Sequence, residues 1–156
     1  MADCVYAGCT ANLKAALEAI TSPTYNTNVQ KVEQARRLLK LDVDEFMLLQ
    51  EFSPEYQDDF EHTSDEVWKY RAIYFRLAND DGSNNPFTYQ NRNVVADVRK
   101  AIMVDRTRGG NCDNTIVRDS GHAIFVDEEG NMLPGTYVDI DCMASVDADD
   151  PYNLAQ

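Results

Sequence analysis

The residues of this chain that could carry out chemistry include four cysteines and two histidines. The cysteines are Cys4, Cys9, Cys112 and Cys142, and the histidines are His62 and His122. No two cysteines have the CxxC spacing of a metal or redox motif, and a zinc site built from Cys112 and His122 would need further ligands. No spacing selects a cysteine and histidine pair for nucleophilic catalysis either. We therefore predict free thiols, some of them buried as small hydrophobic side chains, and no metal site.

Paired carboxylates and a glycine pair are the other groups with chemical potential. The acidic pairs are Asp58-Asp59, Asp80-Asp81 and Asp149-Asp150. They lie in polar, loop-like stretches, which is typical of solvated charge, and the spacing of a calcium-binding EF-hand loop is absent. Gly109-Gly110 follows a predicted helix instead of leading into one, so it does not fit a phosphate cradle. Nucleotide-binding, zinc-protease and serine-hydrolase motifs are also lacking, and we expect no catalytic activity and no cofactor.

Length and charge exclude several classes of protein. The chain has 156 residues, of which 44% are hydrophobic, and this suits one domain with a core. We expect residues 1–10 and 147–156 to be terminal extensions of that domain. The net charge of −13 opposes direct binding to nucleic acid, because phosphate contacts need a basic surface. Neither a signal peptide nor a membrane-spanning apolar run is evident, so we expect a soluble protein made in the cytoplasm.

Two segments have the apolar periodicity of amphipathic helices. The first covers residues 11–20 and ends before Pro23. The second begins near residue 91 and ends in the charged, glycine-rich turn at residues 105–110. Its apolar face consists of Val94, Val95, Val98, Ala101 and Ile102. Asp97 lies elsewhere on this helix, so we expect its carboxylate to be away from the core.

Most of the remaining chain has the composition of β-strands. The predicted strands cover residues 46–52, 65–77, 115–118, 123–126 and 135–144. Residues 29–41 fit a helix by propensity, although a strand over residues 29–35 fits as well. Residues 53–64 fit a loop or hairpin tip, residues 79–86 a loop, and residues 129–131 a tight turn. This order predicts an α+β domain, with a mostly antiparallel or mixed sheet and two or three helices packed on it.

Two groups of side chains could mediate recognition. Trp68, with the aromatic residues that follow it, could form a binding patch, but aromatic side chains more often fill the core of a small domain. Arg106 and Arg108 flank a threonine in the predicted turn. They could reach the carboxylates of a neighbouring molecule, or they could cap the end of the preceding helix, where positive charge offsets the helix dipole.

Several short motifs follow one another along most of the chain, roughly over residues 11–152. They are LDVDEF at residues 41–46, ADVRKAI at 96–102, DRTRGG at 105–110, GTYVDID at 135–141 and DPY at 150–152. Their order resembles the tail terminator (tail completion) proteins of tailed bacteriophages. Met47 departs from the pattern, because relatives often have proline after the phenylalanine of the acidic turn. The resemblance favours a strand over residues 29–35.

The resemblance implies a structural protein of the virion tail and neck, synthesised in the host cytoplasm. Such domains assemble as a ring, usually six-fold, on the finished tail tube, where they stop tube growth and present the surface that joins the neck of the filled head. The implied partners are further copies of the chain, the tail tube protein and neck or connector proteins, with the tail sheath as a further candidate. Genomic DNA would only pass through the lumen, and an acidic lumen would repel its phosphates.

We expect the contacts of such a ring to involve Arg106, Arg108 and the segment of residues 53–64, including Asp58, Asp59, Phe60 and His62. The closest alternative is another neck component, such as a head–tail connector stopper or adaptor. A second is an acidic DNA-mimic or inhibitor protein that binds a basic partner. A third is a small hydrolase that uses Cys112 or an acidic cluster.

Overall fold

The computed structural model describes residues 4–34, 42–60, 62–76 and 89–155 of the chain. The elements, in order, are α1 (Val5–Glu18), β1 (Lys31–Gln34), β2 (Glu45–Glu51), β3 (Glu55–Phe60), β4 (Thr63–Arg76), α2 (Tyr89–Val104), β5 (Asn114–Val126) and β6 (Met132–Asp147). They form an α+β fold, which confirms the predicted class. Within the described ranges, neither helix is long and apolar enough to span a bilayer.

The six strands form one mixed sheet. Its order is β1-β2-β4-β6-β5, and β3 pairs with the first part of β4. The β1–β2 pair is parallel, and the other pairs are antiparallel. The central strands β4 and β6 align from Thr63 opposite Asp147 to Phe75 opposite Gly135. The two longest strands of the sheet therefore run side by side, and the shorter ones are arranged around them.

Both helices pack on one face of the sheet and form the main core with it. The apolar residues of α2 that the periodicity placed on one face are buried there, apart from the partly buried Val95. Trp68, Tyr70 and Tyr74 point from β4 into the same core, because alternate residues of a strand face the same side. The aromatic residues of β4 are thus core residues, as the sequence favoured.

Asp97 is an exception to the predicted pattern of α2. It is buried, and its Oδ2 accepts a hydrogen bond of 2.8 Å from the backbone N–H of Thr27. A buried carboxylate is tolerated when it is hydrogen-bonded. Asp97 therefore ties α2 to the loop after α1, a role that periodicity alone does not indicate.

Several predicted boundaries need correction. Residues 115–118 and 123–126 belong to the single strand β5, which continues through an irregularity between Val117 and Asp119 because β6 pairs with it along its length. Within the predicted loop or hairpin tip at residues 53–64, β3 pairs antiparallel with the start of β4. β1 confirms the strand alternative for residues 29–35 over the part it covers, whereas residues 35–41 and 79–86 lie outside the described residues.

The expected terminal extensions also differ from the structure. Helix α1 begins at Val5, and Val5, Cys9 and Thr10 are buried, so residues 5–10 belong to the domain. At the other end, Leu154 forms an isolated bridge with Val146, and the backbone N–H of Ala155 donates to the carbonyl of Ser145. The chain after β6 thus turns back onto the end of the sheet.

Candidate assembly surfaces

The strands β5 and β6 form a long hairpin whose turn is stabilised by Asp127. The Asp127 carboxylate accepts hydrogen bonds from the backbone N–H groups of Glu129 and Asn131 and from the side-chain amide of Asn131. These bonds, led by the Asn131 side chain, lower the pKa of Asp127. Gly130 has a φ of +85°, a conformation that glycine adopts without strain. The predicted tight turn at residues 129–131 is confirmed.

Three large apolar side chains are exposed together near this turn. Ile124, Val126 and Met132 are 60%, 62% and 75% exposed. Val126 and Met132 are cross-strand partners, and Ile124 precedes Val126 by two residues, so all three lie on one face of the hairpin. We call them the hairpin patch. Single exposed apolar residues are ordinary, but a group on one face is typical of an interaction site.

The opposite face of the hairpin is anchored to the body of the domain. Phe125 packs edge-on against Phe75, with 5.2 Å between the ring centroids, and Leu133 packs against the same small core cluster. Gly135 permits this approach, since a Cβ atom there would lie 2.9 Å from the Phe125 ring. The hairpin patch is therefore presented by packed strands and not by a loop.

A second exposed apolar group lies at the other end of β5. Met103 and Val104, at the end of α2, are 56% and 79% exposed, and the exposed Arg106 follows them. We call these three residues the helix-end patch. The turn after α2 is joined to the start of β5, because the Thr115 hydroxyl donates to the Arg106 carbonyl at 2.8 Å. Ile124 lies nine residues after Thr115 in β5, so about 30 Å at ~3.3 Å per residue separates the two patches.

The turn at residues 105–112 is tightly hydrogen-bonded. The Asp105 carboxylate accepts from the Thr107 hydroxyl at 2.9 Å and from the backbone N–H groups of Thr107 and Gly109 at 3.0 and 2.6 Å. These bonds, first that from the Thr107 side chain, lower the pKa of Asp105. Arg108, Gly109 and Gly110 all have positive φ. The glycine pair thus serves the geometry of the turn.

Arg108 is buried, which corrects the expectation that it contacts a neighbouring molecule. Its side chain is fully inaccessible, and its Nη2 donates a hydrogen bond to the Ile102 carbonyl in the last turn of α2. This is the helix-capping alternative, because the last carbonyls of a helix have no partner inside the helix. Nε and Nη1 of Arg108 have no hydrogen-bond partner among the described residues.

The predicted contact segment at residues 53–64 is only partly described. Asp58, Asp59 and Phe60 lie in β3, and their side chains are outside the described part of the structure. His62 is exposed, and its Nδ1 lies 3.2 Å from Asp149 Oδ2 in the C-terminal segment. Since Thr63 pairs with Asp147 and Asn114 pairs with Met143, His62 lies toward the same end of the sheet as the helix-end patch.

The charged face of the sheet is built from ion pairs. Arg71 donates to both oxygens of Asp139 at 2.7 and 3.0 Å, and its guanidinium carbon lies 4.4 Å from the centre of the Tyr137 ring. Arg118 Nε lies 3.2 Å from Asp141 Oδ2. Burial is the main cause of the raised pKa of Asp141. Asp139 and Asp141 are thus covered by arginines, and these ion pairs hold neighbouring strands together.

Three of the four cysteines come together in the core, which spacing along the chain did not predict. The Sγ atoms of Cys9, Cys112 and Cys142 all lie within 4.8 Å of one another, and all three residues are buried. All four cysteines are free thiols, as predicted. Hydrogen bonds from Cys142 and Cys9 lower the pKa of the Cys112 thiol. Two local features of the sequence indicate that these cysteines face the core. Cys142 lies on the inward face of its strand, and Cys9 precedes Leu13 by one helical turn.

Comparisons with known proteins add no further support for a function. The chain matches no protein-family model, and no curated protein matches it in sequence. The resemblance to tail terminator proteins therefore stays a prediction that rests on the order of the motifs.

Proposed function

We propose that this chain is a structural subunit of a phage tail terminator ring, which ends growth of the tail tube and forms the surface that joins the neck. The observation that carries the proposal is the pair of exposed apolar patches, the hairpin patch and the helix-end patch, at opposite ends of β5. Both patches lie on or beside packed secondary structure, so the positions of the two contact surfaces are set before assembly.

Two unlike patches fit the symmetry of a ring. In a head-to-tail assembly, each subunit uses one surface toward the next subunit and a different surface toward the previous one, and the assembly closes when the rotation between subunits is right. A two-fold dimer would need only one self-complementary patch. The separation of the hairpin patch from the helix-end patch therefore supports a cyclic assembly.

Strand β5 adds a further means of contact. It lies at the edge of the sheet, and only β6 pairs with it among the described strands. An edge strand presents backbone N–H and C=O groups that can pair with another chain. The hairpin patch lies on this edge strand and its partner, so apolar contact and backbone pairing would act on the same neighbour.

The net charge suits a ring through which DNA passes. With a charge of −13 on each chain, a six-fold ring would repel the phosphates of the genome and prevent them from adhering to the wall. The same charge would also oppose assembly, so the contact surfaces must be apolar or locally complementary. This part of the proposal fails if the wall of the channel is lined mainly by arginine and lysine.

The test compares a hairpin-patch variant with a matched surface control. Val126→Asp combined with Met132→Asp places charge in the patch at exposed positions, and Tyr152→Asp does the same at an exposed apolar residue of the C-terminal segment. Each protein is mixed with purified tail tubes that lack the terminator, and electron microscopy scores rings at the tube end. We expect rings with the wild type and the control but not with the double variant, although all three unfold at similar temperatures. Equal ring formation by the double variant would refute the role of the patch.

Another neck component is the nearest rival, because it would also form a ring. The two functions differ in the order of assembly. A terminator is present on tails that have never met a head, whereas a stopper or adaptor belongs to the head side. Finding this chain on heads and not on headless tails would replace the proposal with the rival.

A further inference from the structure

The buried thiols form a compact three-point cluster. Cys9 comes from α1, Cys112 from the turn after α2, and Cys142 from the centre of β6. Their Sγ atoms lie within 4.8 Å of one another, and the three residues are at most 1% exposed. Thiols from three separate elements have thus converged on one point of the core, next to the backbone of Arg106, whose carbonyl oxygen lies 3.7 Å from the Cys112 Sγ.

The spacing of the cluster fits a metal ion. Zinc binds thiolate sulfur at about 2.3 Å, so two sulfurs of a tetrahedral site lie about 3.8 Å apart. Three sulfurs within 4.8 Å can reach this arrangement by small side-chain movements. Because three thiols converge here, any single disulfide would leave the third thiol without a partner.

Thr115 places an oxygen beside two of the three thiols. Its Oγ1 lies 3.5 Å from the Cys112 Sγ and 3.7 Å from the Cys142 Sγ. An oxygen and a sulfur bound to the same tetrahedral zinc, at about 2.1 and 2.3 Å, lie about 3.6 Å apart. Since the Thr115 hydroxyl proton is donated to the Arg106 carbonyl, the lone pairs of this oxygen remain free for an ion.

Arg108 is a candidate for the balancing charge. It lies in the same turn as Cys112, it is fully buried, and its Nε and Nη1 have no hydrogen-bond partner among the residues that the structure describes. Arg108 has one hydrogen-bond acceptor, the Ile102 carbonyl, and a buried cation is costly unless a negative charge also lies near it. Three thiolates and one divalent ion carry a net charge of −1, which one guanidinium neutralises.

We propose that Cys9, Cys112 and Cys142 bind one thiophilic d10 metal ion as three thiolates, with Thr115 Oγ1 at the fourth position. Binding breaks three S–H bonds, forms three metal–sulfur bonds and releases three protons to solvent, without oxidation or reduction. The ion would fasten α1 and the 105–112 turn to the central strand β6. Zn²⁺ and Cu⁺ share this preference for thiolates, and Zn²⁺ better suits a site with an oxygen as its fourth ligand.

The metal content of the purified protein and its titration with Cd²⁺ test this site. Elemental analysis of protein prepared without chelator should find about one equivalent of zinc per chain, and copper in its place would assign the site to Cu⁺. After chelation, one equivalent of Cd²⁺ should produce the ultraviolet absorption of thiolate-to-cadmium charge transfer and release about three protons. Cys4→Ser is the matched control and should change neither result, because Cys4 is outside the cluster.

Variants of the ligands complete the test. Cys112→Ser should lower Cd²⁺ affinity by at least 100-fold and remove the rise in unfolding temperature that zinc gives to the wild type. If this variant does not fold, the absorption and proton release of the wild-type protein still decide the question. Metal-free protein that takes up no Cd²⁺, loss of the absorption in Cys4→Ser, or a native mass lower by two hydrogens, as a disulfide would give, would each overturn the proposal.

Discussion

At the residue scale, the two arginines of the 105–112 turn have opposite environments. Arg106 is exposed beside the end of α2, whereas Arg108 is fully buried and hydrogen-bonded to the Ile102 carbonyl. The sequence presents them as an equivalent pair separated by one residue. Only the path of the backbone, with Arg108 at a φ of +51°, turns one side chain inward and the other outward.

We predict that replacing these arginines has unequal effects. Arg108→Ala should lower the free energy of unfolding by about 2–4 kcal/mol, because it removes a large buried side chain and leaves a helix carbonyl without its donor. Arg106→Ala should change it by less than about 0.5 kcal/mol, as is usual at exposed sites. Urea denaturation of both variants checks this, and equal effects would mean that Arg108 is not buried as described.

Asp105 provides a pH-dependent prediction for the same turn. The pKa of Asp105 is lowered by hydrogen bonds from Thr107 and Gly109. Its ionised carboxylate therefore contributes fully to the free energy of unfolding at pH values above the ordinary pKa of 3.8, and this contribution is lost as the pH falls through the lower folded pKa. Asp105→Ala should therefore destabilise the protein by about 1 kcal/mol at neutral pH, because it removes the side-chain hydrogen bonds that hold the turn.

Denaturation curves of the wild type and Asp105→Ala at several pH values measure this difference. It should shrink toward zero at acid pH, once Asp105 is protonated in the wild type. Asp113 follows this turn closely in the sequence, but it is unsuitable as a control position because its carboxylate accepts a hydrogen bond from the backbone N–H of Ser145. Glu128→Ala, at an exposed residue of the β5–β6 turn, is the better control. A difference that grows as the pH falls would contradict the role of Asp105.

Side-chain partners were the part of the fold least accessible from sequence. Helical periodicity places the carboxylate of Asp97 away from the core, but a hydrogen bond from a backbone N–H distant in the chain makes its burial favourable. The cysteines likewise lacked any short spacing motif, because each comes from a different element. Such contacts depend on tertiary geometry, which local periodicity does not contain.

At the element scale, the β5–β6 hairpin depends on a close approach at Gly135. A side chain there would collide with the rings of Phe125 and Phe75, since even a Cβ atom would lie 2.9 and 3.0 Å from them. We predict that Gly135→Val destabilises the protein by about 1–3 kcal/mol through overpacking. Met132→Val, at an exposed site of the same strand, should have little effect. Thermal unfolding of the two variants measures the contrast, and a stable Gly135→Val variant would contradict this packing.

Periodicity identified both helices and the strands β2, β4 and β6, because each has a long apolar pattern of one kind. It divided β5 into two parts at Asp119, Ser120 and Gly121, where polar and small residues interrupt the pattern. The structure keeps this segment in one strand because β6 pairs along nearly all of it, and Tyr137 lies over Gly121 across the pair. Long-range pairing therefore overrides a weak local signal at this point.

At the scale of the whole molecule, the order of helices and strands was sufficient to predict an α+β sheet domain. The positions of the two exposed patches were not predicted, because Ile124, Val126 and Met132 look like ordinary strand residues until their pairing is known. The ring itself rests on the resemblance of the motifs and on the separation of these patches along β5. Its geometry is therefore the central claim to be tested.

Cryo-electron microscopy of tails assembled with this chain tests that claim most directly. We predict a closed ring of copies at the upper end of the tail tube, with the hairpin patch of each subunit against the helix-end patch of the next. The same preparation without the chain should contain tubes of uncontrolled length. Tubes of normal length with no density for the chain, or a ring in which both patches face solvent, would contradict the account.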